Sequence, residues 1–161
     1  MKVNLGCPRY CEGWVCVDLH PQDQGVIQSD AYEYLENHFE VFTEIYSKNM
    51  LEHLPDVGRF FKLCHEALRP GGVLRFETDN AEWWPWFYIP HMAWFWPTRT
   101  WIGAAVNPAF DKYMNGSPHL YVYTLYHLGV FAKIYHFKVR VNRRVKHGAH
   151  LYSEFVKLDA S

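Results

Sequence analysis

The chain has 161 residues, a formal net charge of −1 and four cysteines. This length favours one domain with one sizeable core, and the near-neutral charge provides no general field that would attract nucleic acid or acidic membranes. Because no segment reaches the roughly 18 apolar residues of a membrane span and nothing at the N-terminus is typical of a signal peptide, we expect no membrane span and a cytoplasmic location.

Three short strands are predicted at the start of the chain, over 2–6, 14–18 and 25–28. Gly6 ends the first strand and Asp18 ends the second. In α/β proteins, nucleotides bind at the carboxyl ends of parallel strands, with a glycine turn under the ligand and an acidic side chain on the ribose hydroxyls. The pair therefore indicates a nucleotide-like cofactor, although a glycine after a strand is most often only a turn.

Helical and extended patterns then alternate, which favours a parallel sheet flanked by helices. Ser29 or Asp30 can cap a helix over 31–38, and a strand is predicted at Glu44–Ser47. A second helix begins at Pro55 and Asp56, with apolar residues at Val57, Phe60, Phe61, Cys64, Ala67 and Leu68. This spacing is typical of a helix that packs one face on a sheet.

The glycine pair after Pro70 ends this helix, and Val73–Glu77 is predicted to be a buried strand. Residues 83–101 then contain nine aromatic residues, six of them tryptophan. Prolines within this segment exclude one long helix, so we interpret residues from about 80 to 116 as an insertion in a single domain that spans 1–161. A helix near 117–128 is followed by two long strands at about 131–141 and 149–158, which can form an antiparallel hairpin.

The cysteines were considered as metal ligands, because Cys7, Cys11 and Cys16 lie close together with His20 nearby. Their spacing matches neither a paired zinc site nor a common iron–sulfur pattern. Cys16 also lies within an apolar strand, as a small core residue does. We therefore predict no metal site.

At this point the chain resembles the class I S-adenosylmethionine-dependent methyltransferases, in particular their short-loop, type 11-like group. The matching segments occur in family order over residues 2–79 and 117–158. They are VNLGC, GWVCVDL, SDAYEYL, SKNMLEHLPD, LRPGGVLRFETDN and HLYVYTLYHLGVF. LEHL followed at this distance by LRPGG is the most specific part.

The resemblance implies an α/β, Rossmann-like doubly wound sheet of about seven strands, mostly parallel with an antiparallel last strand, plus the aromatic-rich insertion. It also implies S-adenosylmethionine as cofactor and a small molecule as methyl acceptor. Gly6 and Cys7 are expected under the methionine part, Asp18 on the ribose and Leu19 against adenine. The implied cofactor-binding set is completed by Asp30, Ala31, Asn49 and Met50. Turn and helix-cap chemistry is the alternative for Asp18 and Asp30.

The first loop departs from the family pattern. Pro8 stands where the short-loop members have glycine, and proline removes an amide donor. Only Cys7–Gly13 separates the first two strands, whereas a parallel crossover normally needs a dozen residues or more. We therefore expect the usual first helix to be shortened or absent, and the loop decides between an enzyme and a non-catalytic binding or scaffold protein with the same fold.

Methyl transfer needs mainly alignment and exclusion of water, but an oxygen or nitrogen acceptor can need a base. Glu52 and His53 follow the fourth strand and are the candidate catalytic residues; His119 and Asp79 are further candidates. The alternative for Glu52 and His53 is a structural role before the helix at Pro55.

Two segments suggest partners. The aromatic residues of 83–101 predict a covered site or an association surface, and we expect a homodimer. Residues 133–147 contain six Lys or Arg and no acidic residue, so an RNA-associated protein is a further alternative. Such a basic stretch is more often a solvated sheet edge that discourages strand pairing.

Overall fold

The computed structural model describes residues 1–83 and 121–158. Within them, ten helices and strands follow one another along the chain. They are β1 (Lys2–Leu5), β2 (Val15–Asp18), β3 (Val26–Gln28), α1 (Ala31–Glu36), β4 (Phe42–Lys48), α2 (Val57–Ala67), β5 (Leu68–Asp79), α3 (Leu125–Ile134), β6 (Phe137–Val145) and β7 (His150–Lys157). The predicted insertion at about 80–116 lies almost entirely outside the described residues, as do His119 and the aromatic segment beyond Trp83.

One seven-stranded sheet organises these elements, in the order β3-β2-β1-β4-β5-β7-β6. The first five strands are parallel, while β7 runs antiparallel to both β5 and β6. The predicted Rossmann-like sheet with an antiparallel last strand is therefore confirmed. Because the strand order reverses between β1 and β4, a crevice opens at their carboxyl ends, where such sheets bind ligands.

The core lies on one face of the sheet. Val3, Ile45, Leu74 and Phe155 occupy neighbouring register positions on four adjacent strands and are fully buried. All three described α-helices contribute side chains to the same hydrophobic cluster, with Phe61 of α2 at its centre.

The helices begin at side-chain caps, and the sequence indicated those of α1 and α2 but not that of α3. The Asp56 carboxylate accepts a hydrogen bond from the Arg59 N–H at the start of α2. Thr124 and His127 form a reciprocal cap at the start of α3, in which each side chain bonds to the backbone of the other residue. These caps satisfy amide donors that a helix end leaves free.

The prediction around residue 129 was wrong. The helix expected near 117–128 is α3, which continues through Gly129 to Ile134, and the strand expected from 131 begins only at Phe137. A Cβ at Gly129 would meet no atom within 4 Å, so this glycine lies on an open helix surface and does not end the helix. Burial of Leu128 and Ala132 against the sheet outweighs the modest cost of an internal glycine.

β5 is longer than the predicted Val73–Glu77. It begins at Leu68, and the pairing with β4 is interrupted after Phe42, where Arg69 to Gly72 form an irregular segment. Gly71 has a φ of 71°, a conformation that favours glycine, so this turn is encoded locally.

Candidate functional site

The carboxyl edge of the five parallel strands brings the candidate cofactor residues together. Gly6 follows β1, Asp18 ends β2, and Asn49 and Met50 follow β4. Gly6 and Met50 therefore flank the point where the strand order reverses. Residues separated by more than forty positions in the sequence share one crevice because parallel strands end at the same edge.

Gly6 is held in a conformation that favours glycine, and its surroundings are tight. Its φ is 72°, and a Cβ at this position would lie 3.0 Å from Met50 Sδ. A larger residue would therefore be strained and would displace the Met50 side chain. The backbone of Gly6 is accessible to a ligand only because it carries no side chain.

The loop after Gly6 offers few free amides. The N–H groups of Gly6 and Cys7 both donate to the Val17 carbonyl, at 2.9 and 3.2 Å, and Pro8 has no N–H. The Tyr10 N–H donates to Asp23 Oδ2 at 2.9 Å. Each of these donors is engaged within the protein, so the loop is poorer in free donors than the family's glycine-rich pattern implies.

The crossover from β1 to β2 contains no helix, as expected from its length. It is held against the turn that follows β2, where the Gln22 N–H donates to the Pro8 carbonyl at 2.7 Å and Arg9 Nε donates to Gln22 Oε1 at 3.1 Å. Tyr10 also covers Gly25 so closely that a Cβ there would lie 2.9 Å from its ring. Loop-to-loop contacts thus replace the packing of a helix.

Asp18 and Leu19 form the part of the crevice best suited to a nucleoside. Asp18 is half-buried, and its Oδ1 accepts the His20 N–H at 2.7 Å. Within residues 1–83 and 121–158, no donor lies on Asp18 Oδ2. Leu19 is 54% exposed and offers an apolar surface beside this carboxylate. A carboxylate with a free oxygen next to an apolar side chain is what a ribose and its base require.

Asp30 adopts the alternative role of a helix cap. Its Oδ1 accepts the N–H groups of Tyr32 and Glu33, at 2.9 and 3.3 Å, at the start of α1. Ala31 is the first residue of this helix and is half-buried. Their contact with adenine stays a prediction.

The segment after β4 carries the candidate catalytic residues. Asn49 is exposed with a φ of 50°, and its N–H donates to the Glu77 carbonyl at 3.0 Å. Glu52 is only 1% exposed, and its Oε2 accepts the Thr78 hydroxyl at 2.8 Å. This bond fixes the turn Leu51–His53 to the end of β5, which is a positioning role. Base catalysis by Glu52 or His53 stays a prediction.

A search for similar proteins agrees with this geometry. The family model described as a methyltransferase domain matches residues 12–76. A Burkholderia thailandensis 1,6-didemethyltoxoflavin-N1-methyltransferase, solved with bound 1,6-didemethyltoxoflavin and S-adenosylhomocysteine, superposes with a TM-score of 0.67 and 17% identity, over 98% of this chain and 71% of that one. A Methanosarcina mazei S-adenosylmethionine-dependent methyltransferase superposes with a TM-score of 0.67 and 14% identity, over 99% and 92%.

The chain has the class I methyltransferase fold. The family match and the superpositions confirm the resemblance deduced from the sequence motifs. Among curated proteins, the ubiquinone biosynthesis O-methyltransferase of Histophilus somni (strain 2336) is 33% identical over 79 residues, which are 44% of this chain and 33% of the relative. That of Shewanella sp. (strain ANA-3) is 32% identical over 66 residues, 38% and 28% of the two chains. This methyltransferase-fold chain spans about a third of the length of these relatives.

The cysteines near the crevice are thiols in this methyltransferase-fold chain. Burial and the neighbouring Cys16 raise the pKa of Cys7 to about 11, and its Sγ donates to the Arg9 carbonyl. Cys7 is therefore protonated at neutral pH, whereas a metal ligand or nucleophile is a thiolate. Among the described residues, no group of three side chains is arranged to hold a metal ion. None of the described helices is long and apolar enough to cross a membrane.

Half of the cations of the basic stretch 133–147 are paired in salt bridges. β6 is the edge strand of the sheet, and Arg140, Arg144 and Lys146 form salt bridges with Glu154, Glu82 and Glu77. Half of the six cations counted in the sequence thus already face a carboxylate. This pattern is that of a charged, protected sheet edge.

An apolar cavity of about 540 Å³ was not anticipated from the sequence. It lies between the first turns of α2 and α3, both of which begin at the carboxyl edge of the sheet. Its walls are Pro55, Asp56, Val57, Gly58, Tyr121, Tyr123, Tyr126, His127, Val130 and Phe131. The signal in the sequence was the alternation of tyrosines at 121 and 123, but only tertiary packing places them opposite α2.

Asp79 and His150 also meet at this edge of the sheet. Asp79 Oδ1 lies 3.7 Å from His150 Nδ1, at the paired ends of β5 and β7. Burial lowers the pKa of His150, although the carboxylate opposes this change. Asp79 was a further candidate base in the sequence, and its histidine neighbour was not.

Proposed function

We propose that this chain binds S-adenosylmethionine in the crevice at the carboxyl edge of its sheet and transfers the methyl group to a small-molecule acceptor. The observation that carries the proposal is the half-buried Asp18 carboxylate at the crevice, whose Oδ2 accepts no hydrogen bond from residues 1–83 and 121–158. The match to the methyltransferase domain over 12–76 supports the same conclusion.

The residues of the crevice fit this cofactor in part. Asp18 Oδ2 can accept a ribose hydroxyl, Leu19 can lie against adenine, and the bare backbone of Gly6 admits the methionine part beside Met50. When bound, the cofactor supplies a methyl group already activated by a sulfonium. The protein then has to orient the acceptor and exclude water, which asks little of side-chain acid–base chemistry.

An oxygen acceptor is the first class to test, because the curated relatives are O-methyltransferases. Of the two candidate bases, we propose His53 for proton transfer. Glu52 is buried under the loop, so we assign the proton transfer to His53 and the placement of that loop to Glu52. A neutral histidine has a suitable pKa for this task.

The Asp18 contact is tested by calorimetric titration with S-adenosylhomocysteine. Asp18→Ala should weaken binding by tenfold or more, because a hydrogen bond to a charged group contributes roughly 1.5–3 kcal/mol. The control is Glu66→Ala, which removes the same charge near the C-terminal end of α2 and should leave the affinity unchanged. Equal affinity of parent and Asp18→Ala, both folded by circular dichroism, would remove the ribose assignment.

A non-catalytic member of the same fold is the second candidate. The observation in its favour is that the Val17 carbonyl occupies the amides of Gly6 and Cys7 while Pro8 has none. A protein that binds neither S-adenosylmethionine nor S-adenosylhomocysteine at millimolar concentration would have this function instead. The salt-bridged cations of β6 give the RNA-associated alternative no comparable support.

We also propose that the protein is a cytoplasmic homodimer. The support is the sequence alone, since nine aromatic residues within 83–101 would give a monomer a large apolar patch if all of them faced water. A light-scattering mass of one chain, across the concentrations used for activity, would contradict the dimer.

A further inference from the structure

The apolar cavity between α2 and α3 has walls that are rigid and aromatic. Tyr121 and Tyr123 lie with ring centroids 6.4 Å apart, and the Tyr123 ring meets Phe131 edge-to-face at 6.2 Å. Phe131 in turn stacks on the core residue Phe61 at 5.1 Å. This wall therefore continues directly into the hydrophobic core.

The tyrosine hydroxyls of this wall are turned into the protein. Tyr121 donates to the Pro55 carbonyl at 3.1 Å, and Tyr123 donates to the Leu51 carbonyl at 3.4 Å. Burial, together with the charge of Glu52, raises the pKa of Tyr123 further above neutrality. The Tyr123 hydroxyl is therefore uncharged, both hydroxyls are engaged in hydrogen bonds, and the cavity meets the carbon surfaces of the rings.

Polar groups occur at the rim. The Thr124 N–H donates to His127 Nδ1 at 3.2 Å, so the neutral ring carries its proton on Nε2. Asp56 caps α2 through Oδ1, and within the described ranges no donor lies on its Oδ2. A carboxylate that can accept a hydrogen bond, placed beside an aromatic pocket, suits a ligand that has one hydroxyl on an apolar body.

The cavity adjoins the cofactor crevice through one short segment. Met50 contacts Gly6, and the next residue, Leu51, accepts the bond from Tyr123. The Glu52 carbonyl accepts the Tyr121 N–H at 3.1 Å. The Met50–Glu52 segment thus joins the crevice to two of the tyrosines that line the cavity.

We infer that this cavity holds the aromatic body of the methyl acceptor, a flat hydroxyarene whose hydroxyl lies near Asp56. That the bound hydroxyarene is the methyl acceptor rests on the proposed function. That the cavity binds a hydroxyarene rests only on the cavity itself. Its volume of about 540 Å³ is within the range of small-molecule sites. Aromatic walls favour a flat ring, because offset and edge-to-face contacts add to simple burial.

The test uses 2-naphthol as the probe and decahydro-2-naphthol as its saturated, non-planar analogue. Each is titrated calorimetrically into the parent protein and into two variants on α3. Val130 lines the cavity and is 38% exposed, so Val130→Trp fills the space without disturbing the core. Ile134, one turn further along α3, is 56% exposed and lies away from the cavity, so Ile134→Trp is the matched control.

We expect 2-naphthol to bind the parent and Ile134→Trp equally, and Val130→Trp at least tenfold more weakly. The saturated analogue should bind the parent severalfold more weakly than 2-naphthol. Equal binding of 2-naphthol to the parent and Val130→Trp, or no binding to the parent, would overturn the site. Equal binding of the two probes would overturn its aromatic preference.

Titration of the same samples with S-adenosylhomocysteine separates this inference from the proposed function. If Val130→Trp loses its affinity for 2-naphthol and the parent has no affinity for S-adenosylhomocysteine, the hydroxyarene site is kept and methyl transfer is discarded. If the parent binds S-adenosylhomocysteine tightly and Val130→Trp leaves the affinity for 2-naphthol unchanged, the proposed function is kept and the hydroxyarene site is discarded. If light scattering gives a different mass for Val130→Trp than for the parent, a second copy of the chain occupies the cavity, and the hydroxyarene site is also overturned.

Discussion

The two faces of the central sheet are built on different principles. On one face, rows such as Val3, Ile45, Leu74 and Phe155 are fully buried under α1, α2 and α3. On the other, a row of alternating charges crosses five strands, from β1 to β6. It consists of Lys2, Glu44, Arg75, Glu154 and Arg140, joined by successive salt bridges.

The difference shows how strand alternation encodes the layers of this fold. Successive side chains of β5 point to opposite faces, so Leu74 and Phe76 enter the core while Arg75 and Glu77 enter the charged face. A second polar row, in which Tyr46 donates to Glu77 and Lys146 pairs with Glu77, runs beside the first. The helix-covered face is stabilised by burial, and the charged face by cross-strand pairs.

The largest expected effect is on the helix-covered face. Phe61→Ala should lower the free energy of unfolding by about 3–5 kcal/mol, because it leaves a cavity among Phe76, Phe131 and Phe155. Urea denaturation followed by circular dichroism measures this change. Phe39, which is 71% exposed, provides the control, since Phe39→Ala should change the stability by less than about 0.5 kcal/mol.

A smaller effect is expected on the charged face. Glu44 is 7% exposed and pairs with Lys2 and Arg75, so Glu44→Gln should cost about 1–3 kcal/mol of unfolding free energy. The matched control is Glu36→Gln, which breaks the exposed pair with Arg59 and should cost less than about 1 kcal/mol.

The proposed difference between the two faces is contradicted if Glu44→Gln and Glu36→Gln are equally stable in urea. In that case, the charged row would be a solvated surface like any other, and the sheet would be stabilised from one side only. Added salt provides a second measurement, because it screens the exposed Arg59–Glu36 pair more strongly than the buried one.

The smallest expected effect is a dependence of stability on pH, with one histidine on each face. Burial lowers the pKa of His65 beside Phe137 on the core side, and that of His150 on the charged side. A histidine with a lowered folded pKa stabilises the fold above its unfolded pKa and loses this contribution as the pH falls through the folded value. The free energy of unfolding should therefore decrease between about pH 7 and pH 5.

Replacing either histidine tests the assignment. His65→Gln and His150→Gln should each flatten this decrease, whereas His20→Gln, at an exposed position, should leave the slope as in the parent. At still lower pH, protonation of Glu77 and Glu154 lowers the free energy of unfolding further. Burial opposes the change, yet bonds to Lys146 and Tyr152 respectively lower the pKa of the two carboxyls, so their stabilising contribution disappears as they become protonated. An unchanged slope in both histidine variants would contradict the burial argument.

Most of the fold could be predicted from local patterns. The strands ending at Leu5, Asp18 and Gln28 were placed within a residue or two, because short apolar runs bounded by glycine and turn residues have few other structures. α3 was misplaced since Gly129 was interpreted as a stop signal. Its helical state depends on the packing of Leu128 and Ala132 against the sheet, which the sequence does not display.

The candidate site was predictable where it depends on strand ends and not where it depends on packing between helices. The places of Gly6 and Asp18 at the carboxyl edge of the sheet could be predicted because both follow from where short strands end, while their contact with a cofactor stays a prediction. Glu52 was proposed as a base, but its burial and its bond to Thr78 come from contacts between distant segments. The cavity between α2 and α3 depends on the same kind of contact.

The sequence by itself determined the order of the strands' apolar runs, the helix caps at Asp30 and Asp56, and the missing helix after Gly6. These features are local, since each depends on backbone conformation or on the distance a short loop can span. Only the tertiary structure decided which charged residues meet across the sheet and which carbonyls occupy the amides of the first loop. It also decided that Tyr121 and Tyr123 enclose a cavity with α2, because each of these contacts joins segments that are far apart in the chain.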